Sequence, residues 1–240
     1  MFYLPCDNEY FIRYLFPSVE AIKMVPETKY RTNAIKHKRV ILFSAQGSGK
    51  TELVRSIAEE AVRIYGRRNV NPVMIKGDLM SILSTGLNRK LVQLVFVDDF
   101  TIDETPTLAL KAYFNIRHLW SKMINRNYGL IVTIFAQHRF HSSSKEIRST
   151  ADVVIIRDDS LNPFDHSLIK RFIGEAGLSD LHLIQEYRDL YPVLKNYSIF
   201  RTRTGRVGLI YFPMAKENYL RRVKHVSRFT ATMILSKYVI

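Results

Sequence analysis

One octapeptide constrains this chain more than any other part of it. Ser44-Ala45-Gln46-Gly47-Ser48-Gly49-Lys50-Thr51 stands between the apolar run Val40 to Phe43 and a stretch with helical spacing. It fits the pattern G-x-x-x-x-G-K-[ST], with Ser44 at the first glycine. Gly47 and Gly49 let the backbone bend until successive N–H groups face one anion, and a helix beginning there adds the partial positive charge of its N-terminus. Lys50 is then placed to bridge β- and γ-phosphates, and Thr51 to offer its hydroxyl to Mg²⁺. The plain alternative is a glycine-rich turn whose lysine faces solvent. A strand before, a helix after and an acidic strand end downstream favour the phosphate loop.

The periodicity around that loop predicts an α/β fold. Val40 to Phe43 reads as a buried strand, and Leu53, Val54, Ile57, Ala58, Ala61 and Ile64 fall on one helix face over Thr51 to Tyr65, stopped by Gly66. Further strands are predicted at 70–76, 91–97, 130–136 and 153–156, and a long helix at 107–125. Strands alternating with helices indicate a mostly parallel sheet covered by helices on both faces. Residues 1–30, interrupted by Pro5, Pro17 and Pro26, read as short helices on the core, and Lys36-His37-Lys38-Arg39 as a basic turn. Beyond Asp159 the pattern changes: helices are expected at 167–174 and 178–190 and a hairpin at 198–212 around Thr204-Gly205. The expected organisation is a core over residues 1–160 and a basic helical and hairpin extension over 161–240 packed on it.

The strand at 91–97 runs into Asp98-Asp99. At such a strand end a carboxylate sits beside the water shell of Mg²⁺, the role given to Asp98. Asp99 would polarise the attacking water as general base, with Glu104 as a substitute. Alone, these two aspartates would read better as helix caps; with the phosphate loop upstream, the catalytic reading prevails. The strand at 130–136 ends in Gln137, where an amide can hydrogen-bond phosphate or water and so report nucleotide state. A capping amide is the ordinary alternative. His138 and His141 have no second ligand pair nearby, so zinc is not expected. ATP is preferred to GTP because no guanine-reading Asn-Lys-x-Asp string follows the loop.

Composition narrows the class. The net charge is +14, and the last forty residues hold nine Lys or Arg against Glu217 alone. That density suits a polyanionic partner, because each neutralised phosphate releases counterions; a solvated surface or subunit contact is the competing reading. The longest stretch free of Lys, Arg, Asp and Glu is the twelve residues from Asn127 to His138, short of the roughly 20 apolar residues of a membrane-spanning helix. No secretory signal is read at Met1-Phe-Tyr-Leu-Pro-Cys6, and one cysteine excludes an internal disulfide. A reducing, cytoplasmic compartment is therefore expected.

The order of these parts resembles a family. A phosphate loop, an apolar strand ending Asp98-Asp99, and Arg126-Asn127-Tyr128-Gly129 before a strand ending Ala136-Gln137 resemble the FtsK–HerA superfamily of P-loop DNA translocases. Within it the likeness is to the genome-packaging ATPases of poxvirus-like and internal-membrane icosahedral viruses, including archaeal ones. Lys145-Glu-Ile-Arg148 and the strand at 153–156 extend it, so that it covers roughly residues 40–157. The resemblance implies a RecA-like P-loop NTPase core, ATP and Mg²⁺ bound at 44–51, and hydrolysis coupled to movement of double-stranded DNA. It also implies a ring of five or six copies, a capsid or membrane-associated viral partner, and a place in the host cytoplasm or the virion. An arginine acting in trans on a neighbour's nucleotide is implied at Arg126, with Arg148 in reserve. Two other readings stay open: an AAA+-type replication or helicase-loading ATPase, whose second sensor arginine would be sought at Lys170-Arg171, and a P-loop ATPase of secretion or export.

Overall fold

A computed structural model describes residues 4–24, 34–76, 81–82, 86–98, 111, 113–138, 149–157, 163–213 and 221–222. Among these, eight strands form one sheet in the order β7-β6-β5-β1-β4-β3-β2-β8. They are β1 (Lys36–Phe43), β2 (Val70–Lys76), β3 (Val92–Asp98), β4 (Leu130–Gln137), β5 (Val153–Ile156), β6 (Tyr197–Thr202), β7 (Val207–Tyr211) and the two-residue β8 (Arg221–Arg222). β8, β2, β3, β4, β1 and β5 run parallel; β6 and β7 are antiparallel additions beside β5. This is a RecA-like P-loop NTPase fold.

The central strands read as unbroken apolar runs because both of their faces are covered. β4 is buried at every position. On one face Val40, Leu42, Phe96 and Ile134 meet helix α3 (Lys50–Tyr65) through Leu53, Val54 and Ile57, beside α1 (Asn8–Leu15) and α2 (Val19–Lys23). On the other, Ile41, Phe43, Val97 and Phe135 meet α4 (Ile116–Ile124) and α5 (Pro163–Tyr187). Alternate residues of each strand supply the two clusters, as the period of two requires. α5 is two helices joined at Gly174, whose φ of 77° breaks the helical path; this matches the two helices expected at 167–174 and 178–190. Among the described residues no helix is long and apolar enough to cross a membrane.

Two expectations change. Lys36 to Arg39 is not a turn but the first half of β1, in register with Leu130 to Thr133. The charged heads of its cations lie on rings: Lys38 Nζ is 3.9 Å from the centroid of Tyr14, and the Arg39 guanidinium lies over Tyr113 and Phe114. The negative face of each ring attracts the cation as it leaves water. The hairpin at 198–212 forms, but as part of the sheet: β6 pairs with β5 from Val153↔Thr202 to Ile156↔Ile199. Residue 160 is thus no boundary in the sheet. The basic segment beyond residue 222 lies outside the described residues. β7 is lined by the start of the chain, where Asp7 N donates to Leu209 O at 2.7 Å and the Asn8 side chain bonds both N–H and C=O of Tyr211.

Candidate active site

β1 ends at Phe43, and the chain must turn through residues 44–49 to start α3 at Lys50. Gly47 (φ 77°) and Gly49 (φ 84°) take the left-handed backbone that this turn requires. Gly49 is the N-cap residue of α3, so the free N–H groups of the first turn open onto the loop. Ser44, where a glycine is usual, is fully buried; its hydroxyl bonds the Ser48 hydroxyl, which also donates to Ala45 O at 2.7 Å. The serine therefore ties the loop across its own base. Lys50 is 9% exposed; its Nζ donates to His138 Nδ1 at 3.1 Å and reaches Ala45 O at 3.5 Å. That places the ammonium between the loop and the end of β4.

The strand ends set the other groups. β4 lies beside β1 with Gln137 opposite Phe43, and Gln137 O accepts from Ser44 N at 3.1 Å. The Gln137 side chain is 2% exposed, and among the described residues neither Nε2 nor Oε1 has a hydrogen-bond partner. A buried amide left unbonded costs about 1–3 kcal/mol per group, so this amide is a candidate for meeting a polar ligand. β3 is the next strand out, so Asp98 stands two strand spacings from β1, about 10 Å, at the same end of the sheet. Strand alternation from Phe96 puts Asp98 on the face covered by α3, whose first turn carries Thr51. Asp99, Glu104, His141 and Arg148 lie outside the described residues.

Arg126 is at the opposite end of the sheet. It precedes β4, and its guanidinium donates to the carbonyls of Tyr128, Arg89 and Lys90 at 3.0, 3.3 and 3.2 Å while lying over the Tyr128 ring. β1 and β4, each eight residues long, separate it from the loop by roughly 23 Å. Within one chain it does not reach the phosphate loop.

The sequence reading missed Arg157. It follows β5, its N–H donates to Phe43 O at 3.0 Å, and it is 8% exposed. Nε donates to Ser48 O at 2.6 Å, Nη1 to Ser198 Oγ at 3.4 Å and Nη2 to Lys195 O. A Cβ on Gly49 would lie 3.2 Å from Nη2. One guanidinium thus braces the phosphate loop against β6 and the 3-10 helix Pro192–Asn196. The signal in the sequence was slight: a single cation closing an otherwise apolar strand. Beyond Arg157 a cavity of about 270 Å³ opens between Gln46, Gly47 and Ser48 and the residues Arg188, Lys195 and Tyr197.

Neither a protein-family model nor a curated protein sequence matches this chain. Two solved structures are similar to part of it. The genome packaging NTPase B204 from Sulfolobus turreted icosahedral virus 2, in complex with ATP-gammaS, is 11% identical, with 75% of this chain and 98% of that one covered and a TM-score of 0.49. The cytoplasmic domain of the Thermomonospora curvata type VII secretion ATPase EccC is 12% identical over 75% of this chain and 24% of that one, with a TM-score of 0.42. Likenesses of this size leave the chemistry to be read from this chain's own residues.

Proposed function

We propose that this protein is an ATPase that moves double-stranded DNA, working as the packaging motor of a virus. The observation that carries the nucleotide part is the buried, unbonded Gln137 amide beside a left-handed glycine loop that opens α3. The residues fit a nucleoside triphosphate with Mg²⁺. The N–H groups of 47–51 and Lys50 would hold the β- and γ-phosphates, the ammonium giving up His138 to do so. Thr51 and Asp98 would hold Mg²⁺, which keeps several waters and needs few protein ligands; the ion neutralises charge on the phosphates. Gln137 would bond the γ-phosphate or the attacking water, and Asp99 would take that water's proton. The cavity beyond Arg157 would receive base and ribose.

DNA as the moved substrate rests on the +14 net charge and the basic end of the chain. The ring, the viral partner and the in-trans arginine belong to the same proposal. Arg126 would serve a neighbour's nucleotide only by releasing three carbonyls, and Arg148 is the other candidate. Of the alternatives, an AAA+ lid would bring Arg171 to the γ-phosphate; here the part of the α5 region beside the loop is Ile184 and Arg188, beyond the Gly174 break.

The test is ATP turnover by the full chain with and without duplex DNA, beside a mass measurement. Turnover stimulated by duplex of any sequence, lost steeply with salt, in a particle of five or six copies, is the expected result. Turnover indifferent to DNA but raised by membranes would move the protein to the secretion class. For the arginine, Arg126→Ala should keep ATP binding and lose turnover, and mixing it with Lys50→Ala should restore part of it.

A further inference from the structure

The end of the sheet away from the phosphate loop gathers cations that lie far apart in sequence. Arg67 and Arg68 follow α3, Arg89 and Lys90 precede β3, Arg126 precedes β4, Lys36 to Arg39 open β1, and Arg203 turns between β6 and β7. They are neighbours in space. Lys36 is opposite Leu130, Val92 opposite both Leu130 and Val70, and Asp152 joins Arg39 to Arg203 through backbone bonds of 2.8 and 2.7 Å. Lys90 Nζ donates to Arg67 O at 3.1 Å and Val70 O at 2.8 Å, and Arg126 binds the carbonyls of Arg89 and Lys90, so the rim is held rigid from beneath. Arg67, Arg68, Arg89 and Arg203 are exposed.

We infer that this rim is the surface that grips the phosphate backbone of duplex DNA, an inference that rests on the DNA-moving function proposed above. Size favours that partner. From β6 to β2 the rim crosses five strand spacings, about 24 Å, the axial length of about seven base pairs. A neighbour's triphosphate would take one arginine at one point, Arg126 if it leaves its carbonyls; the cations spread along the rest of the arc suit an extended polyanion. Guanidinium groups on fixed backbone bind phosphate oxygens bidentately and without sequence preference.

The experiment measures binding of a labelled, mixed-sequence duplex several helical turns long to the full chain across a salt series. DNA-free ATP turnover and particle mass are measured on the same samples. The triple variant Arg67→Gln/Arg68→Gln/Arg89→Gln should bind duplex on the order of 10–100-fold more weakly and lower the slope of log K against log salt by about 2–3. Turnover without DNA and particle mass should not change. Arg89→Gln alone should weaken binding, and Arg13→Gln, which removes the same charge elsewhere, should not. Unchanged duplex affinity in the triple variant overturns the inference and leaves the motor reading standing. A fall in particle mass instead makes the rim a face between copies and overturns it too. A wild-type protein that turns over ATP without binding duplex sinks both the rim and the DNA substrate, whereas one that turns over no ATP sinks the proposed function whatever the rim binds.

Discussion

The two ends of the sheet are built from opposite materials. At the phosphate-loop end polar groups are buried and few: Ser44, Lys50, Gln137 and Arg157 are each 9% exposed or less. At the other end charges are many: Arg67, Arg68, Arg89 and Arg203 are exposed, and Lys36 to Arg39, Lys90 and Arg126 are half-buried. The first arrangement fits a small ligand held by directed hydrogen bonds in low dielectric, where each group carries much of the effect. The second fits a long, flexible-in-register polyanion, where each group adds a little and salt removes it. One strand, β1, spans both: Lys36 opens it half-buried and Phe43 closes it in the core.

Four changes test that contrast, taken from the largest effect down. Lys50→Ala should cut ATP turnover roughly 100-fold or more, read by phosphate release; unchanged turnover would refute the assigned site. Arg157→Met removes a buried brace with three acceptors and should cost about 3 kcal/mol in a denaturant melt, with a raised KM for ATP. A stability loss with no change in KM would make Arg157 a core residue only. Gln137→Leu should slow turnover about 10-fold while the melt stays level or improves by up to about 1 kcal/mol, because an unbonded buried amide has been replaced by an apolar side chain. A matching loss of stability would mean that Gln137 is structural.

The smallest effect lies at the charged end. Burial holds the His37 imidazole well below its ordinary 6.5, helped by the charges of Arg39 and Arg117, while Nε2 bonds Thr133. The unfolded chain therefore binds a proton near pH 6.5 that the folded chain refuses, so stability falls as pH drops below that value. The slope is at most about 1.4 kcal/mol per pH unit, and thermal melts of His37→Gln should lack it. Equal pH slopes in the two proteins would show that His37 takes the proton in the fold as well.

The central strands and α3 were legible because both of their signals are local. An apolar run bounded by small residues is a covered strand, and 3.6-residue spacing is a helix. β2 and β5 coincide with the expected 70–76 and 153–156. Lys36 to Arg39 was misread because four basic residues look like a turn until rings arrive from Tyr14, Tyr113 and Phe114, 22 or more residues away. β6 and β7 were recognised as a hairpin, but nothing local says that a hairpin joins a parallel sheet antiparallel to its edge. At the candidate site, the loop residues and the ends of β3 and β4 were readable from the motif and the strand ends. Arg157 was not, since its three acceptors come from Ser48, Lys195 and Ser198 and exist only once the chain has folded.

The pairing of Asp7 and Asn8 with β7 has a consequence for handling the protein. Main-chain groups along Leu209 and Tyr211 that they occupy would otherwise be a template for a foreign strand. Shortening the chain past Asn8 would bare that border, and the expected outcome is sheet-to-sheet aggregation before any loss of helix α3. Asp7 and Asn8 thus act as a seam that keeps one molecule from being stitched to the next.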